Sequence, residues 1–179
     1  SMSDRVALMR DGRIAQLGAP RDIYLKPTSA FTASFLGHSN MIAGRVEMPG
    51  RVQTDLGPIE ADTVGFAVQD RVFVIARPQS IAFRPSGSIG PNQFSVRIND
   101  LVFLGDEIEV DVSRDDTRLR LIVDSYADLK LGEDVVVELL RERLVIVPFE
   151  SPQPSPAAAS STRGKKTWGG PSPSLEAAA

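Results

Sequence analysis

The sequence predicts a mainly β protein, a barrel or sandwich of short antiparallel strands, preceded by a hairpin and two short helices. Three observations carry this. Apolar residues alternate strictly through Glu107–Val112, and Leu119, Leu121 and Val123 recur at every second position of Arg118–Val123. A dense β-branched and aromatic run occupies Arg71–Arg77. Turn signals built on Gly, Pro, Asn and Asp recur at short, even spacing, the pattern of an all-β domain.

The opening hairpin is predicted from Val6–Met9 and Ile14–Leu17 around Arg10-Asp11-Gly12-Arg13. Asp-Gly between apolar runs is a strong hairpin signal, because both residues tolerate the positive φ of a tight turn. A first short helix is predicted over Arg21–Lys26, with Pro20 at the position where its missing N–H costs nothing. Pro27 stops it. Thr28 or Ser29 caps a second, Ala30–Leu36, which Gly37 ends. A hairpin and two short helices bury no core of their own, so this segment is expected to be the trailing edge of a larger domain.

After His38-Ser39-Asn40 the periodicity becomes two. Strands are predicted at Met41–Glu47, Arg51–Asp55 and Ile59–Ala61, with turns at Pro49-Gly50 and Leu56-Gly57-Pro58. Arg71–Arg77 is expected to be a central strand buried on both faces, ended by Pro78. Ser80–Arg84 is expected at an edge, and residues 86–91 form a surface loop. Phe94–Leu104 is a long strand bent near Asn99-Asp100, turned back by Gly105-Asp106. In the next hairpin Ile108, Val110 and Val112 face inward, as do Leu119, Leu121 and Val123. Pairing Val112 with Leu119 then sets Asp111 opposite Arg120, and a one-residue slip would drive charges into the core. The last strands are Val135–Leu140 and Leu144–Phe149, with turns at 129–133 and Arg141-Glu142-Arg143. Residues 151–179, rich in Pro, Ser, Ala and Gly, are expected to be disordered, extended or partly vector-derived, since they cannot offset their chain entropy.

Composition narrows the function classes. The chain has 179 residues, 42% hydrophobic, with a net charge of −3 and no cysteine. Disulfides and thiolate metal sites are thereby excluded, and a reducing cytoplasm fits. No bulk positive field invites nucleic acid, no run approaches the length of a membrane-spanning helix, and Ser1-Met2, expected to be a cloning remnant, is not a signal leader. His38, the single histidine, lacks a partner for catalysis or metal binding and is expected to be solvated or capping. Asp115-Asp116 and Glu133-Asp134 are expected to be solvated turn acids rather than calcium or acid/base groups. Gly87–Gly90 reads as a loop, not a phosphate cradle. Arg163-Gly164-Lys165-Lys166 with Trp168 is expected to be solvated, and Phe66, Phe73, Phe83, Phe94 and Phe103 to be core rather than a base-stacking platform.

The opening segment resembles the end of the nucleotide-binding domain of ABC-importer ATPases. The residues that carry the likeness are Ser3-Asp4-Arg5, Met9, Asp11-Gly12, Ile14, Gln16, Gly18, Pro20, Ile23-Tyr24, Pro27, Phe31, Phe35 and Gly37, all in one register. The remainder resembles that family's transport-associated OB-like (TOBE) regulatory domain, through Arg77-Pro78-Gln79-Ser80-Ile81, Phe103-Leu104-Gly105-Asp106, and Leu131-Gly132-Glu133-Asp134-Val135 with Val145–Pro148.

The resemblance implies three segments: residues 3–37 as a nucleotide-binding-domain remnant, 38–150 as the regulatory domain, and 151–179 as a tail. The implied structural motif positions are Asp4, Arg5, Gly12, Gly18, Pro20, Tyr24, Pro27, Phe35, Gly37, Arg77, Pro78, Gly105 and Gly132. The sequence holds no G-x-x-x-x-G-K-(S/T) loop, no signature run and no paired Asp-Glu after an apolar strand. The fragment is therefore expected to have no catalytic, cofactor or metal residues, while the parent binds ATP and Mg, hydrolyses ATP and serves solute uptake at the inner face of the cell membrane. Expected partners are a second copy, as homodimer or swapped oligomer, and the transporter's membrane subunits, with no nucleic acid. A small-oxyanion-binding OB-like module is the alternative, and an oligonucleotide-binding OB domain is disfavoured by the acidic balance. The cargo stays open, polyamine and iron types standing ahead of sugar and phosphonate.

Overall fold

A computed structural model describes residues 4–150; the tail, its basic run and Trp168, and Ser3 lie outside the described residues. The hairpin is β1 (Val6–Arg10) with β2 (Arg13–Gly18). It turns on Asp11 and Gly12, both at positive φ (51° and 75°), as the Asp-Gly signal requires. Helix α1 is Pro20–Leu25, with proline in its first turn, and α2 is Ala30–Phe35. Ser29 is the cap: its Oγ accepts from the Thr32 N–H at 3.1 Å. Thr28 is used elsewhere, as described below. Gly37 ends the segment at φ 86°.

Two five-stranded antiparallel sheets follow. The first has spatial order β12-β6-β3-β4-β5, built from β3 (Asn40–Met48), β4 (Arg51–Thr54), β5 (Gly57–Glu60), β6 (Arg71–Ala76) and β12 (Val145–Pro148). The second, in order β10-β9-β8-β11-β7, holds β7 (Ile81–Arg84), β8 (Gln93–Phe103), β9 (Glu107–Arg114), β10 (Thr117–Asp124) and β11 (Asp134–Leu139). Every strand pair is antiparallel. Inner faces of both sheets share one apolar core that runs from Ile42, Val46 and Val52 through Val72 and Val74 to Val110, Val112, Leu119, Leu121 and Leu139. Among the described residues no helix is long and apolar enough to cross a membrane.

Strand β6 is central, and all of Val72–Ala76 is buried, as expected of the apolar run. Leu119 pairs with Val112 and Arg120 with Asp111, the register that parity required. Arg120 Nε donates to Asp111 Oδ1 at 3.1 Å and its Nη1 lies 3.4 Å from Glu109. The bend in β8 is a register shift between Ile98 and Asp100, a β-bulge that re-aims the strand end. Gly44 is required by packing: a Cβ there would lie 2.6 Å from the Gln53 carbonyl oxygen and 2.7 Å from Val52 Cγ1.

Three expectations need correction. The turn after β4 is Asp55-Leu56, so Gly57 and Pro58 lie inside β5. Pro58 is tolerated because β5 is an edge strand, where no ladder N–H is demanded. Pro78–Ser80 is a 3-10 turn that postpones β7 from Ser80 to Ile81; Arg141–Arg143, a turn as expected, has the same 3-10 form. Phe103 is 68% exposed rather than core. Beyond the bulge the core-facing parity passes from even to odd positions: Ile98 is buried and Leu101 packs against the core, but Phe103 ends β8, where no further core covers it. Phe73 and Phe94 are buried, and Phe66 and Phe83 pack against the core.

Closure between the sheets rests on two asparagines. Asn40 Nδ2 donates to the carbonyls of Ala76 (3.1 Å) and Arg120 (2.8 Å), and its Oδ1 accepts from the Arg120 N–H at 2.7 Å, so β3 is tied to β10. Asn92, at φ 57°, ties β5 to β11: it exchanges bonds with the Glu60 N–H (2.6 Å) and carbonyl (2.8 Å) and donates to the Leu139 carbonyl (3.1 Å). Neither sheet has to leave these edge groups to water.

On the second sheet Arg84 Nε donates to Glu138 Oε2 at 2.6 Å, and Gln93 Nε2 donates to the same oxygen at 2.9 Å. The Arg84 bond, then the Gln93 bond, hold the Glu138 carboxyl below the ordinary glutamate range. Its stabilisation is therefore complete above the unfolded-chain value of about 4.3 and is lost as pH falls through the lower folded value. Glu138→Gln should lower the melting temperature at neutral pH and flatten its dependence on pH below about 4.3; thermal melts across that range check both.

Candidate functional site at the helix–barrel joint

Some of the sequence-predicted positions, Tyr24, Gly37, Arg77 and Pro78, come together at the joint between the helical segment and the β body. Arg77 follows β6 and is only 6% exposed. Its Nη1 donates to the carbonyls of Ala33 (3.1 Å) and Leu36 (3.1 Å) and to Ser39 Oγ, and its Nη2 donates to the Tyr24 carbonyl at 2.8 Å. The guanidinium also lies over the Tyr24 ring, 4.1 Å from its centroid, a favourable cation–π contact. One side chain thus takes up the last carbonyls of both short helices, groups that a helix leaves without partners at its C-terminus. Burial pushes the guanidinium below its ordinary value, and the Tyr24 phenol partly offsets this.

A second tie comes from β2. Gln16 Nε2 donates to the Lys26 carbonyl at 3.0 Å, while its Oε1 accepts from the Thr28 N–H (3.0 Å) and the Thr28 hydroxyl (3.1 Å). The hairpin is fixed to the α1–α2 joint by both ends of one amide. Arg10 adds a third link, donating to Glu150 at 3.1 Å and sitting 5.0 Å from the Phe31 ring centroid.

Of the motif positions, Tyr24, Gly37, Arg77 and Pro78 meet at this joint. A Cβ on Gly37 would come 3.9 Å from the Tyr24 ring, and buried Pro27 lies between the helices. Gly18 approaches Ile23 (3.6 Å), and Pro20 opens α1. Asp4, Arg5 and Gly12 lie at the hairpin's exposed ends, and Phe35 is 56% exposed at the end of α2. Gly105 (φ 103°) and Gly132 (φ 80°) serve turns on the second sheet, away from the joint. Ser39, Asn40 and Asn92 were not singled out from sequence. Small polar residues at loop ends carry no periodic signal, and their partners are remote in the chain.

The outer face of the hairpin is apolar and uncovered. Met9 pairs with Ile14 and Ala7 with Leu17; Met9, Ile14 and Leu17 are 58%, 60% and 48% exposed, whereas Leu8 is buried. His38 is exposed at the joint, and among the described residues no group of three or more His, Cys, Asp or Glu could hold a metal ion.

No family model matches the chain. Curated relatives do. Over 140 residues it is 32% identical to the spermidine/putrescine import ATP-binding protein PotA of Acetivibrio thermocellus, covering 78% of this chain and 38% of that protein. Over 119 residues it is 34% identical to the Fe(3+) ions import ATP-binding protein FbpC 1 of Rhizobium meliloti, covering 63% and 32%. Its relatives are ATP-binding subunits of ABC importers. FbpC of Photobacterium profundum extends the match to 154 residues at 29% identity, covering 84% of this chain and 43% of that protein. The chain thus spans less than half the length of the curated relatives it matches. Among solved structures, the cytoplasmic molybdate-binding protein ModG superposes with a TM-score of 0.55 at 15% identity, over 61% of this chain and 96% of that one. At that identity the likeness establishes the architecture, an OB-like β fold.

Removing the guanidinium takes the side-chain donor from the Tyr24 and Leu36 carbonyls and leaves the Ala33 carbonyl to Ser39 Oγ alone, at 2.9 Å. With about 1–3 kcal/mol for each buried group left unsatisfied and some exchange with water, Arg77→Ala should cost about 2–4 kcal/mol. Hydrogen exchange should quicken first through residues 6–37 while the core strands stay protected; uniform loss of protection would contradict the joint's role.

Proposed function

We propose that this chain is the C-terminal, regulatory and dimerisation region of the ATPase subunit of an ABC importer. In this reading residues 3–37 are the trailing edge of the nucleotide-binding domain and 38–150 the regulatory body. ATP and Mg bind elsewhere in the parent, which hydrolyses ATP, serves solute uptake at the inner face of the membrane and docks on the transporter's membrane subunits. The observation that carries the reading is the Arg77 joint: a hairpin with an uncovered apolar face is tied rigidly, through two short helices, to a closed β body. Such a body can bias a two-state dimer through contacts that differ between the states. It cannot do so through a slack linker.

The same face supports self-association of the chain as it stands. A two-stranded hairpin with three exposed large apolar side chains needs cover. Size-exclusion chromatography with light scattering should show a concentration-dependent mass above that of a monomer. Ile14→Lys with Leu17→Lys should return the mass to monomer without changing the melt. A monomer at all concentrations in the wild type would remove the self-association reading.

The alternative is a small-oxyanion module, to which the ModG-like fold lends support. Heat on titration with molybdate, unchanged in the Ile14→Lys, Leu17→Lys variant, would favour it over the regulatory reading.

A further inference from the structure

Between α1 and the β body lies a cleft of about 640 Å³, within the size range of small-molecule sites. Its walls are mainly apolar, with Leu25, Ile75 and Leu144 among them. Its charges are lopsided: Arg21, Lys26, Arg77 and Arg143 line it against one carboxylate, Glu142. Arg77 is buried, and each of its hydrogen bonds goes to a neutral carbonyl or hydroxyl. Among the described residues no carboxylate forms an ion pair with it. Arg143 is held by one bond, Nη1 to the Gln79 carbonyl at 3.0 Å, which orients the guanidinium and leaves further donors free. Arg21 and Lys26 are exposed at the rim.

We infer that this cleft binds a small organic anion, a carboxylate or phosphate ester whose apolar body lies against Leu25, Ile75 and Leu144 and whose charge meets Arg21, Lys26 and Arg143.

The physical reasoning has three parts. A buried charge is costly unless a counter-charge compensates it, and Arg77's hydrogen bonds engage its Nη1 and Nη2 groups without cancelling its charge. An anion in the adjoining cleft would supply that counter-charge in a region of low dielectric, where it acts most strongly. Three further cations reinforce the field against a single acid. The apolar wall then selects an anion with a hydrophobic body over a bare oxyanion, because the latter would leave that surface facing nothing it can pair with. A ligand there would touch α1 and the 3-10 turn at Arg141–Arg143 together. It would stiffen the joint that Arg77 makes. The inference concerns this cleft alone and stands whether or not the hairpin face self-associates.

The probe is phenyl phosphate, with inorganic phosphate and benzylamine as controls, followed by amide chemical-shift perturbation on the wild-type chain. Phenyl phosphate should shift the amides of Tyr24, Leu25, Ile75 and Leu144 in a saturable manner. Inorganic phosphate should bind at least about tenfold more weakly, a difference of about 1.4 kcal/mol, and benzylamine should leave these amides unmoved. Arg21→Gln with Lys26→Gln, both exposed positions, should weaken phenyl phosphate at least about tenfold with an unaltered melting temperature. Absence of saturable shifts, equal binding by the double variant, equal binding of inorganic phosphate, or shifts with benzylamine would each overturn the inference. Self-association is read separately by light scattering, so its failure would be distinguishable from failure of this site.

Discussion

The molecule depends on one buried guanidinium. Arg77 lies where the central strand β6 leaves the core, and it reaches across to the carbonyl ends of two helices that are too short to hold themselves. Six-residue helices gain little from propensity. Their position is set by what receives their unpaired carbonyls, and here a single side chain receives those of Tyr24, Ala33 and Leu36. Gln16 performs the matching task from the hairpin side, so that β2, α1, α2 and β6 form one mechanical unit.

The β body is closed by the same kind of chemistry. Two five-stranded sheets share an apolar core, but burial alone does not choose how their edges meet. Asn40 and Asn92 do so by presenting an amide to backbone groups on the other sheet, much as a further strand would. Pro58 and the 3-10 turn at Pro78–Ser80 sit where the ladder ends, so the residues that cannot donate are placed where donation is not needed. The relation to importer ATP-binding subunits gives this architecture its context. The hairpin's outer face, uncovered here, is the surface that a larger neighbouring domain would cover under the proposed reading.

Local physics wrote most of the elements plainly. The Asp11-Gly12 turn, the Ser29 cap and the Gly37 stop each need a particular residue within three or four positions, and those residues are present. The Val112–Leu119 register was legible because period-two alternation on both strands admits one alignment without burying charge. Phe103 was misread for the converse reason. Its parity with Leu101 is correct for the core, but parity does not say where the core ends. The β4–β5 turn was misplaced because Gly57-Pro58 is a strong turn signal that an edge strand can tolerate.

By itself, the sequence determined the mainly β class and the order and rough limits of the elements, and the family resemblance pointed to Arg77, Tyr24 and Gly37. Only the tertiary structure decided that these three meet, that Asn40 and Asn92 seal the two sheets, and that four cations gather around one apolar cleft. The physical reason is range. Turn, cap and alternation signals act over a few neighbouring residues, whereas the acceptors of Arg77 lie 38 to 53 positions away in the chain and the partner of Asn40 lies 80 away. Contacts at that separation are chosen by the packing of the whole core, which no local pattern encodes.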